Sequence, residues 1–140
     1  MRKIANILFV LIFTFSATVC NSSQNNENLA KDDKTSKVEK VEVYYFHGTR
    51  RCTTCIAIGE VSSELVKSKY GNNKSVKFIE INIDEPGNEE LAEKFQVSGS
   101  GLYVYNGEDI ENITAYAFQY ARTNPDKLKD KLIELINKDL

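Results

Sequence analysis

Two cysteines, Cys52 and Cys55, stand at C-x-x-C spacing in Phe46-His47-Gly48-Thr49-Arg50-Arg51-Cys52-Thr53-Thr54-Cys55. An apolar run, Val41 to Phe46, leads into a short polar turn, and a helical pattern begins at the cysteines. This order places Cys52 in the first turn of a helix, where amide N–H groups lack partners and the helix dipole is positive. Both effects favour thiolate, the reactive form of the side chain. Cys55, one turn later on the same side, can close a disulfide with Cys52. Arg50 and Arg51 add positive charge just upstream, as thiolate-tuning groups, anion contacts or solvated turn residues. His47 can act as a proton shuttle, a third metal ligand or a packed strand-end residue.

Three chemistries suit such a pair. In thiol–disulfide exchange, one accessible low-pKa thiol attacks and its neighbour resolves. In soft-metal or As(III) binding, two thiolates leave coordination open, so His47 or a second protein would complete the set Cys52, Cys55 and His47. A static disulfide fits less well, because so short a loop constrains little of the chain.

The elements around the pair read as follows. Val41 to Phe46 is a strand rich in β-branched and aromatic residues, suited to the centre of a sheet. A helix runs from Cys52 to about Tyr70, with Ile58, Val61 and Leu65 on its apolar face, Ile56 and Val66 flanking, and Gly71 as the terminating glycine. Val76 to Ile83 is a strand with apolar residues on both faces, as for a parallel strand covered on each side. Asn88 can cap a short helix carrying Leu91, Ala92 and Phe95. Leu102 to Tyr105 is a third strand, and Asn106-Gly107 signals a two-residue hairpin to a returning strand over Glu108 to Asn112. Thr114 to Arg122 suits helix or strand, and helix is preferred. Asn124-Pro125-Asp126 caps a final helix with Leu128, Leu132, Leu135 and Ile136 in one stripe. The order β-α-β-α-β-β-α, with an extra helical segment before the last helix, defines an α/β domain.

This order resembles the thioredoxin family over about Val38 to Leu140. The resemblance rests on C-x-x-C after the first long strand, on Ile79 to Asp84 followed by Glu89 to Val97, and on Asn106-Gly107-Glu108. It implies a thioredoxin fold, a central mixed β-sheet flanked by helices, with Cys52 attacking and Cys55 resolving. The segment Tyr44 to Cys55 further resembles the nitrophenyl compound nitroreductase subunit family of thioredoxin-like proteins, which is associated with efflux permeases for aromatic arsenicals. That likeness implies a membrane permease or thiol-electron carrier as redox partner, and no cofactor. The chain departs from thioredoxins in three places. Arg51-Cys52-Thr53-Thr54-Cys55 replaces their Trp-Cys-Gly-Pro-Cys. The loop that holds their cis-proline corresponds to Ser98 to Leu102, with Ser100 and Gly101 nearest that position. Their buried acid falls near Tyr45, and Glu80 takes the place of a basic residue, where it can accept the Cys55 proton if it points inward.

The rest of the chain bounds location and partners. Arg2-Lys3, the predominantly apolar stretch Ile4 to Phe15, and Ser16 to Cys20 form an export leader. It resembles a bacterial lipoprotein signal over residues 1–20, with Cys20 as the lipidated residue; a plain secretory signal and an uncleaved anchor are the alternatives. All three put the domain outside the cytoplasm, in the periplasm or cell envelope, where a dithiol can cycle. Residues 21–37, almost wholly polar, form a flexible tether reaching roughly 20 Å as a coil; residues 38–140 form the domain. Of 18 basic and 20 acidic residues, Arg2 and Lys3 fall in the leader, leaving 16 against 20 and a net charge of −4. That argues against a nucleic-acid binder, which needs a net basic face. Met1 is the only methionine, which excludes a thioether-rich copper site. The domain is expected to act as a monomer. Glu85, Glu89, Glu90 and Glu93 read as a solvated face. Tyr103 and Tyr105 read as sheet packing, and Tyr116, Phe118 and Tyr120 as core or as the border of an aromatic groove.

Overall fold

The first strand, β1 (Val41–His47), carries apolar side chains on both faces, and this makes it the centre of the sheet. Val41, Val43 and Tyr45 are fully buried on one face, and Phe46 is fully buried on the other. The computed structural model describes residues 40–140. The leader, the tether and Cys20 lie outside the described residues.

Seven elements follow β1: α1 (Thr53–Tyr70), β2 (Val76–Asn82), α2 (Glu89–Lys94), β3 (Gly101–Tyr105), β4 (Ile110–Asn112), α3 (Thr114–Tyr120) and α4 (Pro125–Lys138). The sheet order is β2-β1-β3-β4. β1 is parallel to β2 and antiparallel to β3, and β3 is antiparallel to β4. Residues of α1, α3 and α4 pack with Val41, Val43 and Tyr45 on one face of the sheet. Phe95, at the end of α2, packs with Phe46 and Tyr103 on the other, with Leu91 and Val97 beside them. The result is a three-layer α/β domain with the mixed sheet and extra helix expected from the order of elements.

Several local expectations are corrected. β2 is parallel to β1 and packs Phe78 against one core cluster and Ile81 against the other, as read, but it is an edge strand in which only Val76 is buried. The chain leaves β2 through α2 and adds β3 on the far side of β1, so among the described residues no strand pairs with the outer edge of β2. On α1, Ile58, Leu65 and Val66 are buried as expected, but Ile56 is exposed, and Cys55, Gly59 and Ser62 complete the inner face. Gly71 ends α1 with φ −57°, in the right-handed region, so no left-handed cap is used. Asn88 precedes α2 without capping it; its amide donates instead to the Asn82 carbonyl at 2.8 Å. The β3–β4 connection is longer than two residues. The Asn106 Oδ1 accepts the N–H groups of Glu108 and Asp109, and only Gly107 has a positive φ there. That side-chain turn widens the loop and shortens the returning strand. The segment read over 114–122 is helical from Thr114 to Tyr120, with Ile113, Ala117 and Ala121 buried at four-residue spacing. α4 starts as read, with the Asn124 side chain accepting from the Lys127 N–H.

Candidate active site

β1 ends at His47, and after a loop of five residues, 48–52, the chain enters α1. Cys52 is the N-cap of that helix, one position before the first turn in which the sequence placed it. Its backbone is extended, and its Sγ accepts the Cys55 N–H at 3.1 Å. The sulfur therefore occupies the place of a capping oxygen and faces a helix amide. No acidic residue stands in the first turn to oppose it. Cys52 and Cys55 form a disulfide with Cα atoms 5.1 Å apart. Cys52 is exposed, whereas Cys55 is only 7% exposed. A partner can reach the first sulfur and not the second.

Behind the pair, the fully buried Tyr45 donates its hydroxyl to the Cys55 carbonyl. Burial pushes the Tyr45 phenol above its ordinary range, against an opposing pull from the nearby Arg51 charge. The Arg51 guanidinium lies over the Tyr45 ring, 5.2 Å from its centroid, and donates to Glu80 Oε1 at 2.8 Å. His47 Nε2 is 3.1 Å from the same oxygen, and its Nδ1 is 2.9 Å from the Gly48 carbonyl. Strand register explains this meeting: Tyr45 pairs with Glu80, so their side chains lie on one face, and His47, two residues on, shares it. On the loop's other flank, the Thr49 N–H donates to Asp84 Oδ2 at 2.7 Å, which holds that carboxyl below its ordinary range. On the α3 side, Arg122 donates to the Thr53 hydroxyl at 3.3 Å.

The residues picked from the sequence thus separate into groups. Cys52 and Cys55 form the centre. Arg51, His47 and Glu80 form one polar cluster beside them; the Glu80 carboxylate is partly exposed and bound by the other two rather than aimed at Cys55. Arg50 is exposed and has no ion pair among the described residues. His47 has both ring nitrogens engaged within this cluster, and no group of three His, Cys, Asp or Glu suited to a metal occurs among the described residues.

Gly101 is not part of the loop preceding β3. It is the buried first residue of that strand, paired with Phe46, and a Cβ there would lie 2.6 Å from Tyr103 Cε2. The bend consists of Ser98, Gly99 and Ser100. Pairing of Gly101 with Phe46 brings this bend to the same end of the sheet as the dithiol.

Tyr103 is buried and Tyr105 half-buried in the aromatic cluster under α2. Tyr116 and Tyr120 pack against the core, while Phe118 is exposed. Glu85, Glu89, Glu90 and Glu93 are all exposed.

Four contributors escaped the sequence reading: the roles of Tyr45, Gly59, Asp84 and Arg122. Only Asp84 had a usable signal. It follows β2 as the 48–52 loop follows β1, so two parallel strands in register bring the segments together.

No protein-family model matches the chain, and no curated protein matches it. Among solved structures, thioredoxin O2 from Arabidopsis thaliana in its oxidised state is similar, with TM-score 0.51 and 24% identity over 69% of this chain and 76% of that one. A structure described as a malarial protein aligns over 72% of this chain and 98% of its own, at 22% identity and TM-score 0.49. The likeness to thioredoxin O2, with the sheet order and flanking helices, establishes the thioredoxin fold.

Proposed function

We propose that this protein is an exported thioredoxin-like thiol–disulfide oxidoreductase that passes electrons to or from a membrane or periplasmic partner. The observation that carries the reading is the asymmetry of the pair: an exposed Cys52 whose Sγ faces a helix amide, beside a buried Cys55 within bonding reach. In the reduced protein, the Cys52 thiolate attacks a partner disulfide. A mixed disulfide forms, and one partner thiolate leaves. The Cys55 sulfur, its proton released to solvent, then attacks Cys52 Sγ. The Cys52–Cys55 disulfide closes, and the second partner thiolate departs. Two electrons have passed from the dithiol to the partner; the same steps in reverse oxidise a partner dithiol.

The leader supports export with lipid anchoring at Cys20. The Tyr44 to Cys55 segment supports a partner among membrane permeases or thiol-electron carriers, as in the arsenical-associated family it resembles. Exchange is favoured over the metal-carrier alternative by the engagement of His47 with Glu80 and the Gly48 carbonyl.

The test is turnover of a disulfide substrate by the full chain and its cysteine variants. Cys52→Ser should abolish turnover. Cys55→Ser should accumulate a mixed disulfide that dithiothreitol releases. Undiminished turnover by Cys52→Ser would overturn the reading.

A further inference from the structure

All three arginines of the described domain, Arg50, Arg51 and Arg122, lie at the dithiol end, although the acids of the chain outnumber its bases. Arg51 is neutralised by Glu80. The other two are not: among the described residues, Arg50 has no ion pair and Arg122 contacts only the neutral Thr53 hydroxyl. The carboxylates nearest the loop are occupied, Glu80 by Arg51 and His47 and Asp84 by the Thr49 amide.

The same face holds unusual apolar exposure. Ile56 and Phe118 are each 39% exposed, and the other large exposed apolar residues among those described are Ile110 on β4 and Leu140. Helix geometry sets the two beside the charges. Ile56 is three residues after Thr53 and shares its side of α1. Phe118 is four residues before Arg122, in the turn that continues α3 past its cap Ala121, and each directly follows a core alanine, Ala117 or Ala121, which sets the two on one side. The Arg122–Thr53 hydrogen bond joins those two sides next to Cys52. Glu60, the next residue along this side of α1, lies one turn beyond Ile56 and away from the sulfur.

We propose that Ile56 and Thr53 of α1, with Phe118 of α3 and Arg122 in the turn that follows it, form a docking face for a polypeptide segment that carries apolar and acidic side chains around the cysteine attacked by Cys52. The proposal rests on the exchange reading and names its substrate class. Charge complementarity selects the acid: two arginines without an ion pair among the described residues, Arg50 two positions before Cys52 and Arg122 bonded to the adjacent Thr53, stand on an otherwise acidic domain. Spread over two helices, the apolar contacts suit an extended chain; a small molecule is held in an enclosing pocket. The pocket lined by Gly87, Glu90, Leu91 and Lys94 lies at α2, which packs on the opposite face of the sheet. The extra helix α3 thereby gains a role.

The experiment uses the reduced full-length chain and three cysteine peptides of equal length, each blocked as a mixed disulfide with 2-mercaptoethanol. Their flanks are Glu/Leu, Lys/Leu and Gly/Ser, and 2-hydroxyethyl disulfide serves as a small neutral control. The Glu/Leu peptide should react about tenfold faster than the Gly/Ser peptide, and the ratio should fall with added salt. Arg122→Gln should cut that ratio by about fivefold, and Arg122→Lys by less. Phe118→Ser should reduce the rate with both leucine-flanked peptides, while Phe118→Leu retains most of it. Equal rates for the three peptides, a Lys/Leu preference, or a preference unchanged in Arg122→Gln and Phe118→Ser would overturn the docking face while leaving exchange intact. An anionic aromatic disulfide that gains from Arg122 and Phe118 where the peptides do not would also overturn it, in favour of a small-molecule substrate. Failure to react with any peptide or with 2-hydroxyethyl disulfide would overturn the exchange reading itself.

Discussion

Gly59→Ala tests how the helix behind the dithiol is seated. Alanine in place of glycine within a helix ordinarily stabilises by about 0.5–1 kcal/mol. Here the added Cβ would stand 2.7 Å from Arg51 Nη2, 2.8 Å from Tyr45 Cε1 and 3.1 Å from Tyr45 Cδ1. The guanidinium is the far end of a long side chain and can swing aside. The Tyr45 ring cannot: it is fully buried, its hydroxyl is bonded to the Cys55 carbonyl, and Arg51 covers one face. Overpacking against so fixed a group costs about 1–3 kcal/mol, which exceeds the propensity gain. The expected net effect is a loss of about 1 kcal/mol, or a Tm lower by about 4–8 °C for a domain of this size. Relief requires the Tyr45 hydroxyl to leave Cys55, so the disulfide-exchange rate should fall as well. Thermal unfolding followed by circular dichroism, on oxidised protein, reads the first effect. A double-mutant cycle with Arg51→Gln then separates the two obstacles: a small coupling energy is expected if Tyr45 is the obstruction. A Tm raised by several degrees would refute the reasoning, because helix propensity alone would then govern the site.

Three further outcomes follow from the surroundings of the pair. Arg50→Gln should slow iodoacetamide alkylation of reduced Cys52 by about twofold at neutral pH, whereas Arg51→Gln should mainly lower thermal stability, because that guanidinium is committed to Tyr45 and Glu80; equal slowing by both would contradict the division. The Asp84 carboxyl is held below its ordinary 3.8 by the Thr49 amide, so the contact adds stability above that value and loses it as pH falls through the lower folded value. The Thr49 amide resonance should titrate with a midpoint under 3.8, and a midpoint at or above it would disprove the contact. Burial first, and then the Glu42 hydrogen bond, push the Tyr44 phenol up to about 12 from 10.0. Its stabilising share is thus complete below pH 10 and lost as pH rises through about 12. Tyrosinate absorbance should show one late-ionising residue, with a midpoint that Glu42→Gln lowers, and an unaltered titration in that variant would remove Glu42 as a cause.

The legible features were those in which neighbours along the chain determine the outcome. The strand, the helix and the cysteines at their junction follow from alternation, helical period and spacing over a dozen residues. The same holds for α4, where Asn124, Pro125 and the Leu128 to Ile136 stripe start and orient the helix within itself. Thr114 to Tyr120 could be read as helix because Ile113, Ala117 and Ala121 recur at its period. Failures came where a second, distant segment competes with the local pattern. Ile56 fits an apolar stripe but is exposed, since α1 turns Cys55, Gly59 and Ser62 toward the sheet instead. Gly101 looked like loop because it is glycine among serines, yet its strand conformation serves the close approach of Tyr103.

Sequence alone therefore set the chemistry on offer, two thiols one helical turn apart at the end of a strand, because that arrangement depends only on covalent spacing and local conformation. Tertiary structure decided which thiol is accessible and what surrounds it. Thr49 meets Asp84 across 35 residues, Arg51 meets Glu80 across 29, and Arg122 meets Thr53 across 69. Strand register and helix packing set those separations in space, and no period along the chain encodes them.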